Sequence, residues 1–185
     1  MAIYIAPYDP QWAAEYAAEE ARIVDACRGL PIRLEHIGST AVPGLDAKPI
    51  IDILAGCPPR ADRAEFVATL RQLGYEHKGA FGIPGRNYFR RGSLRSHHVH
   101  IVSWSSGFLR NQLAFRDALR SDPVLRQEYA TLKRDLARVH SDDVERYATA
   151  KGPFIRAVVR RTLETAGASS TTAGRAASIT TTEER

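Results

Sequence analysis

The chain is poor in cysteine, in long apolar runs and in excess charge of either sign. Its 185 residues include two cysteines, Cys27 and Cys57, and neither belongs to a C-x-x-C pair. That argues against a disulfide framework or a zinc-thiolate site and suits a reducing interior. No apolar stretch approaches the roughly 18 residues a membrane helix needs. The opening "MAIYIAPYDP" has no basic segment followed by an apolar run, so no signal peptide is expected. These absences predict a soluble, cytoplasmic protein with no membrane partner. The 26 Lys and Arg residues exceed the 21 Asp and Glu by only five. This mildly favours a phosphate or polyanion ligand. Aromatic residues are not interleaved with the basic ones as in a stacking platform, so nucleic acid is not the expected partner.

What is present is a clear order of elements. Asp9-Pro10 is a helix start, and Trp12, Tyr16, Ile23, Val24 and Cys27 follow at helical spacing up to a stop at Gly29. Strands are expected over residues 32–37 and 49–55. A helix capped by Asp62 carries Phe66, Val67, Leu70 and Leu73 and stops at Gly74. Further strands are expected at 75–78, 87–91 and 97–103. After Gly107 the pattern becomes helical, with "SDP" at 121–123 ending one helix and starting the next. A third begins near Ser141-Asp142, and Gly152-Pro153 kinks or interrupts it. Residues 166–185, rich in Ala, Ser and Thr, lack a periodic apolar face and are expected to form a disordered tail. The prediction is one α+β domain over residues 1–165: a mixed β-sheet with flanking helices and a C-terminal helical half.

The stretch "HIGSTAVPGLDAKPIIDILAG" carries the chemistry. Ile50, Ile51, Ile53 and Leu54 read as a buried strand, yet Asp52 sits among them. A buried carboxylate needs a partner or a task. Gly38-Ser39, with twelve residues between Ser39 and Asp52, ends the preceding strand, where backbone N–H groups and a hydroxyl can receive phosphate. Asp52 can then hold a divalent cation against that phosphate. On the later strand "HHVHIV", alternation turns His98 and His100 to one face and His97 to the other. Two imidazoles and Asp52 can bind zinc, manganese or iron, or can serve in acid/base work; a pair of hydrogen-bonded structural histidines is the plain alternative.

The chain resembles the GrpB family (UPF0157), of the nucleotidyltransferase superfamily fold. The resemblance rests on "HIGSTAVPGLDAKPIIDIL", "GIPGRNYFRRG", "RSHHVHIV", "FRDALRSDPVLRQEYATLKRDLA" and "YATAKGPFI", and runs from Tyr8 to about Leu163. It implies a nucleotidyltransferase-like sheet in which Gly38, Ser39 and Asp52 match the superfamily pattern. The second acidic position of that pattern falls on Leu54, and His98 and His100 stand on the strand where a third carboxylate is usual.

The expected site therefore has Asp52, His98 and His100 as catalytic and metal-binding residues. Gly38, Ser39, Lys48, Arg91, Arg95, Lys133 and Lys151 contact substrate or phosphate. His36, His97, Arg86 and Arg90 are further residues near it. Lys133 and Lys151 each lie four residues after a tyrosine, Tyr129 and Tyr147, on one helix face. The expected ligand is a nucleoside triphosphate or another phosphorylated small molecule, with magnesium or manganese as the leading cation and zinc as an alternative. The expected reaction is nucleotidyl transfer to a small-molecule acceptor. The rivals are a metal- or histidine-dependent enzyme on the same scaffold acting on an acidic or phosphorylated metabolite, and a non-catalytic nucleotide-binding module.

Overall fold

The first helix, α1 (Gln11–Ala26), begins where Asp9 Oδ1 accepts the Gln11 N–H at 2.9 Å. In the computed structural model, which describes residues 3–92 and 96–177, this helix covers one face of a five-stranded sheet. The strands are β1 (Arg33–Ile37), β2 (Ile51–Cys57), β3 (Glu76–His77), β4 (Asn87–Arg91) and β5 (His97–Ser103). They run in the order β1-β2-β5-β4-β3; β2 and β5 are parallel and the other pairs antiparallel. The sheet is therefore mixed, as the sequence predicts. Between β2 and β3 lies α2 (Ala64–Gln72), with Asp62 Oδ1 accepting the Ala64 N–H.

Strand alternation sorts the side chains into two layers. Ile51, Ile53, Ala55, Cys57, Phe89, Val99 and Ile101 pack against α1 and α2, forming the main core with Trp12, Ile23, Phe66 and Leu70. On the opposite face, Leu54, Val102 and Ile37 pack beneath Phe108, Leu109 and Leu113 of α3 (Gly107–Ser121). Asp52 shares this second face, at the end of β2 that α3 leaves partly open.

The helical half continues with α4 (Pro123–Val139), α5 (Val144–Ala150) and α6 (Gly152–Ala177). Asp122 caps α4 by accepting the Leu125 N–H at 2.9 Å, and Pro123 occupies the first turn. Lys151 separates α5 from α6, and the Gly-Pro pair opens α6. Residues 166–177, expected to begin a tail, lie on α6; residues 178–185 lie outside the described residues. A third apolar cluster joins Val42 and Leu45 to Leu119, Leu125, Tyr129, Ala130 and Val158. It fastens the helical half onto the loop between β1 and β2. That contact sets the position of the site.

Candidate functional site

Gly38 ends β1 and has φ 74° and ψ −172°, and the 3-10 turn Ser39–Ala41 starts directly after it. A side chain here is excluded twice. The conformation belongs to glycine, and an added Cβ would lie 2.6 Å from Asp52 Oδ2. The Gly-Ser turn is thus built to touch the Asp52 carboxylate, which is 28% exposed.

The register of β2 against β5 places Asp52 beside His98 and Leu54 beside His100. His98 Nδ1 lies 3.0 Å from Asp52 Oδ1, and His100 Nε2 lies 3.7 Å from the same oxygen. Burial acts to raise the Asp52 pKa. Hydrogen bonding and charge from His100 and His98 outweigh it and hold the carboxyl well below the usual range. An ionised carboxylate only accepts, so His98 Nδ1 donates to it. Arg86, itself buried, fixes His100 from the other side, with Nη1 3.3 Å from His100 Nδ1. A guanidinium only donates, so His100 Nδ1 accepts, and the ring's proton sits on Nε2 facing Asp52. Burial above all, then the Arg86 charge, pushes the His100 pKa down, against Asp52, and the ring is neutral at neutral pH.

In this network both histidines turn a ring nitrogen toward the Asp52 carboxylate. The nitrogens of His98 and His100 that face Asp52 both carry protons and cannot at the same time offer lone pairs to a metal. Among the described residues, no group of three or more His, Cys, Asp or Glu side chains stands ready to hold an ion. His98 Nε2 is different: it points away from Asp52, is buried and has no hydrogen-bond partner among the described residues. The partly exposed Asp52 carboxylate is an oxygen donor of the kind that magnesium and manganese prefer.

Three lysines gather on the other side of Asp52. Lys48 lies on the loop entering β2, Lys133 on α4 and Lys151 between α5 and α6. Lys48 Nζ and Lys151 Nζ stand 4.8 and 4.3 Å from the Tyr147 ring centre, and Lys133 Nζ stands 5.0 Å from that of Tyr129. Lys133 is only 2% exposed, and its ammonium donates to the Asp46 carbonyl. Burial, then the charge of Lys151, pushes the Lys133 pKa down to about 7. Burial, then Lys48, pushes Lys151 down to about 8, with Asp52 opposing. Burial also lowers Lys48. Ser39 lies against the Tyr129 hydroxyl, which ties the Gly-Ser turn to α4.

Gly38, Ser39, Lys48, Asp52, His98, His100, Lys133 and Lys151 therefore lie in one neighbourhood around Asp52. Arg91 does not. It faces the α1 layer, where Nη2 donates to Glu19 Oε2 at 2.6 Å, and Glu19 also receives Arg22 and the Tyr75 hydroxyl. Alternation along β4 is the reason: Tyr88 and Arg90 share the site face, whereas Phe89 and Arg91 share the other. Arg95 lies outside the described residues. His97 bonds Ser96 Oγ on the α1 face. His36 is buried there too, stacked on Tyr16 at 4.5 Å, with Nε2 3.1 Å from Thr40 Oγ1. Its pKa is pushed down to about 4, chiefly by burial. Tyr88 is a residue that sequence reasoning missed: its ring stacks on His100 at 4.9 Å and meets His98 edge-on at 5.4 Å.

Comparison with known proteins places this geometry. The model of the family described as "GrpB protein" matches residues 2–161. The UPF0157 protein YqkA of Bacillus subtilis is 37% identical over 150 residues, which are 80% of this chain and 44% of that protein, so this chain spans under half of that relative's length. The crystal structure of GrpB from Enterococcus faecalis superposes with a TM-score of 0.79 at 34% identity, covering 88% of this chain and 98% of that one. The Cid1 poly(U) polymerase gives a TM-score of 0.50 at 16% identity over 72% of this chain and 43% of its own, a likeness of fold. The sheet is nucleotidyltransferase-like.

Proposed function

This chain belongs to the GrpB family, and on that premise we propose that it binds the polyphosphate of a nucleoside triphosphate with a divalent cation and transfers the nucleotidyl group to a small-molecule acceptor. One observation carries the reading: Lys48, Lys133 and Lys151 cluster beside Ser39 and Asp52, and no carboxylate lies within ion-pair distance of them among the described residues. Lys133 is buried and Lys48 and Lys151 are half-buried, and cations so withdrawn from water are costly by themselves and are stabilised by an arriving polyanion. The relatives described as Cid1 poly(U) polymerase share the fold, which supports the reaction class.

The residues divide the work. Ser39 and the backbone after Gly38 receive phosphate oxygens, and the three lysines neutralise the β- and γ-phosphates. Asp52 would hold the cation, which would supply positive charge to the phosphate oxygens. His100, fixed by Arg86, holds the Asp52 carboxylate in place. The acceptor oxygen or nitrogen bonds to the α-phosphorus as the bond to the β-phosphate oxygen breaks, and pyrophosphate leaves toward the lysines. The acceptor's proton passes to His98 Nε2, whose ring Asp52 orients through Nδ1. Leu54 is fully buried at the second acidic position, so one carboxylate serves where the superfamily pattern has two.

A thermal-shift series with the four nucleoside triphosphates and magnesium or manganese tests this. A ligand at 100 times its dissociation constant raises stability by about 2.7 kcal/mol. The expected result is a shift that needs both triphosphate and cation and disappears in Asp52→Ala. A shift with zinc alone and none with any triphosphate would contradict the proposal and favour histidine-centred chemistry.

A further inference from the structure

Resting on that reading, we infer that the planar end of the ligand, a nucleobase, stacks on Phe81 and Arg90 at the far side of Asp52 from the lysines. Phe81 is a large apolar side chain left 58% exposed. It is also the only non-glycine residue with positive φ among the described residues, at 44°. An ordinary side chain in the left-handed region is strained, and such strain persists where surrounding contacts impose it. Arg86 imposes it here. Its Nη2 donates to the Phe81 carbonyl at 2.7 Å and the Ala80 carbonyl at 3.1 Å, and its Nε donates to Ala80 at 3.2 Å. The same guanidinium reaches His100 Nδ1. One buried side chain thus holds both the exposed ring and the histidine that positions Asp52.

The rings continue from the carboxylate to solvent. Tyr88 stacks on His100, and Phe81 lies 5.2 Å from Tyr88. Arg90 sits over the Phe81 ring at 4.8 Å and over Tyr88 at 5.1 Å, while its Nε donates to the Tyr88 hydroxyl. An aromatic face backed by a guanidinium is a stacking surface for a base. Its place also fits. The strand order puts β5 and then β4 on one side of Asp52 and β1 with its Gly-Ser turn on the other, where Ser39 meets Tyr129, the ring beside Lys133. Two strand spacings, roughly 10 Å, separate β2 from β4. A nucleotide laid across the sheet would have its α-phosphate at Asp52, its outer phosphates toward Lys133 and Lys151, and its base over Phe81 and Arg90.

Calorimetric titration of the full chain with inorganic tripolyphosphate and with each nucleoside triphosphate, all with magnesium, tests this. Wild type, Phe81→Gly and Phe81→Trp are compared. Tripolyphosphate carries the charge without the base. We expect at least one nucleotide to bind about tenfold more tightly than tripolyphosphate, a difference of about 1.4 kcal/mol. Phe81→Gly should erase that advantage, leave tripolyphosphate affinity unchanged, and melt no lower than wild type, because glycine takes the same φ without strain. Phe81→Trp should keep the advantage. If tripolyphosphate binds but no nucleotide binds better, or if Phe81→Gly keeps the difference, the stacking inference is overturned and the polyphosphate reading stands. If neither probe binds, both fall.

Discussion

Replacing Gly38 by alanine probes the contact on which the site is built. The backbone there, φ 74° and ψ −172°, lies in a region almost confined to glycine, and forcing alanine into it costs about 1–3 kcal/mol. The new Cβ would also stand 2.6 Å from Asp52 Oδ2, 3.2 Å from its Cβ and 3.3 Å from its Cγ. Asp52 must turn away, and its hydrogen bond with His98 at 3.0 Å is broken. Losing a hydrogen bond to a charged group costs about 1.5–3 kcal/mol. Together the two effects predict a loss of about 3–5 kcal/mol in urea unfolding. The discriminating experiment is a double-mutant cycle with Asp52→Ala. Without the carboxylate, Gly38→Ala retains only its backbone cost, so the two changes should couple by about 2 kcal/mol. Equal costs in both backgrounds, or a loss below about 1 kcal/mol in the wild type, would refute the packing argument.

Two further outcomes follow from the lysines. Lys133→Met keeps the volume and removes a buried cation whose hydrogen-bond partner is a carbonyl, so stability at pH 6 should hold or rise by about 1 kcal/mol, measured by urea unfolding. A loss of more than about 2 kcal/mol would mean that the ammonium is a structural tie. The second outcome is a pH dependence. The folded pKa of Lys133, about 7, and of Lys151, about 8, lie below the unfolded lysine value of 10.5. Between these values the unfolded state binds more protons, so stability should rise with pH from about 7 towards 10. Polyphosphate binding should restore the charges, so near pH 8.5 it should take up protons, seen as a binding enthalpy that changes with buffer ionisation heat. A buffer-independent enthalpy would contradict this.

Much of the site can be read from the chain because period-two alternation and helical i, i+4 spacing are local rules. They put His98 and His100 on one strand face, and each tyrosine beside its lysine, whereas the pairing of β2 with β5 brings those histidines to Asp52. Arg91 shows where such reading ends. Its closeness in sequence to Arg90 suggests the same site, but its partner is Glu19, 72 residues away on α1. Only the packed layers reveal that pairing. Tyr88 and Phe81, and the task of Arg86, were hard to see for the same reason. Their contacts run across the sheet and back to a loop, and no local spacing encodes a guanidinium that touches both Phe81 and His100. The helix through residues 166–177 lacks the apolar periodicity that would announce it.

The central claim is that the lysines beside Ser39 and Asp52 hold a polyphosphate. Titrating magnesium nucleoside triphosphates into wild type and Lys151→Met at pH 7 tests it most directly, with a parallel urea curve to confirm the fold. The account predicts unchanged or greater stability and an affinity weakened at least about tenfold, or about 1.4 kcal/mol. Equal affinity in the two proteins, or no binding to the wild type, would contradict it.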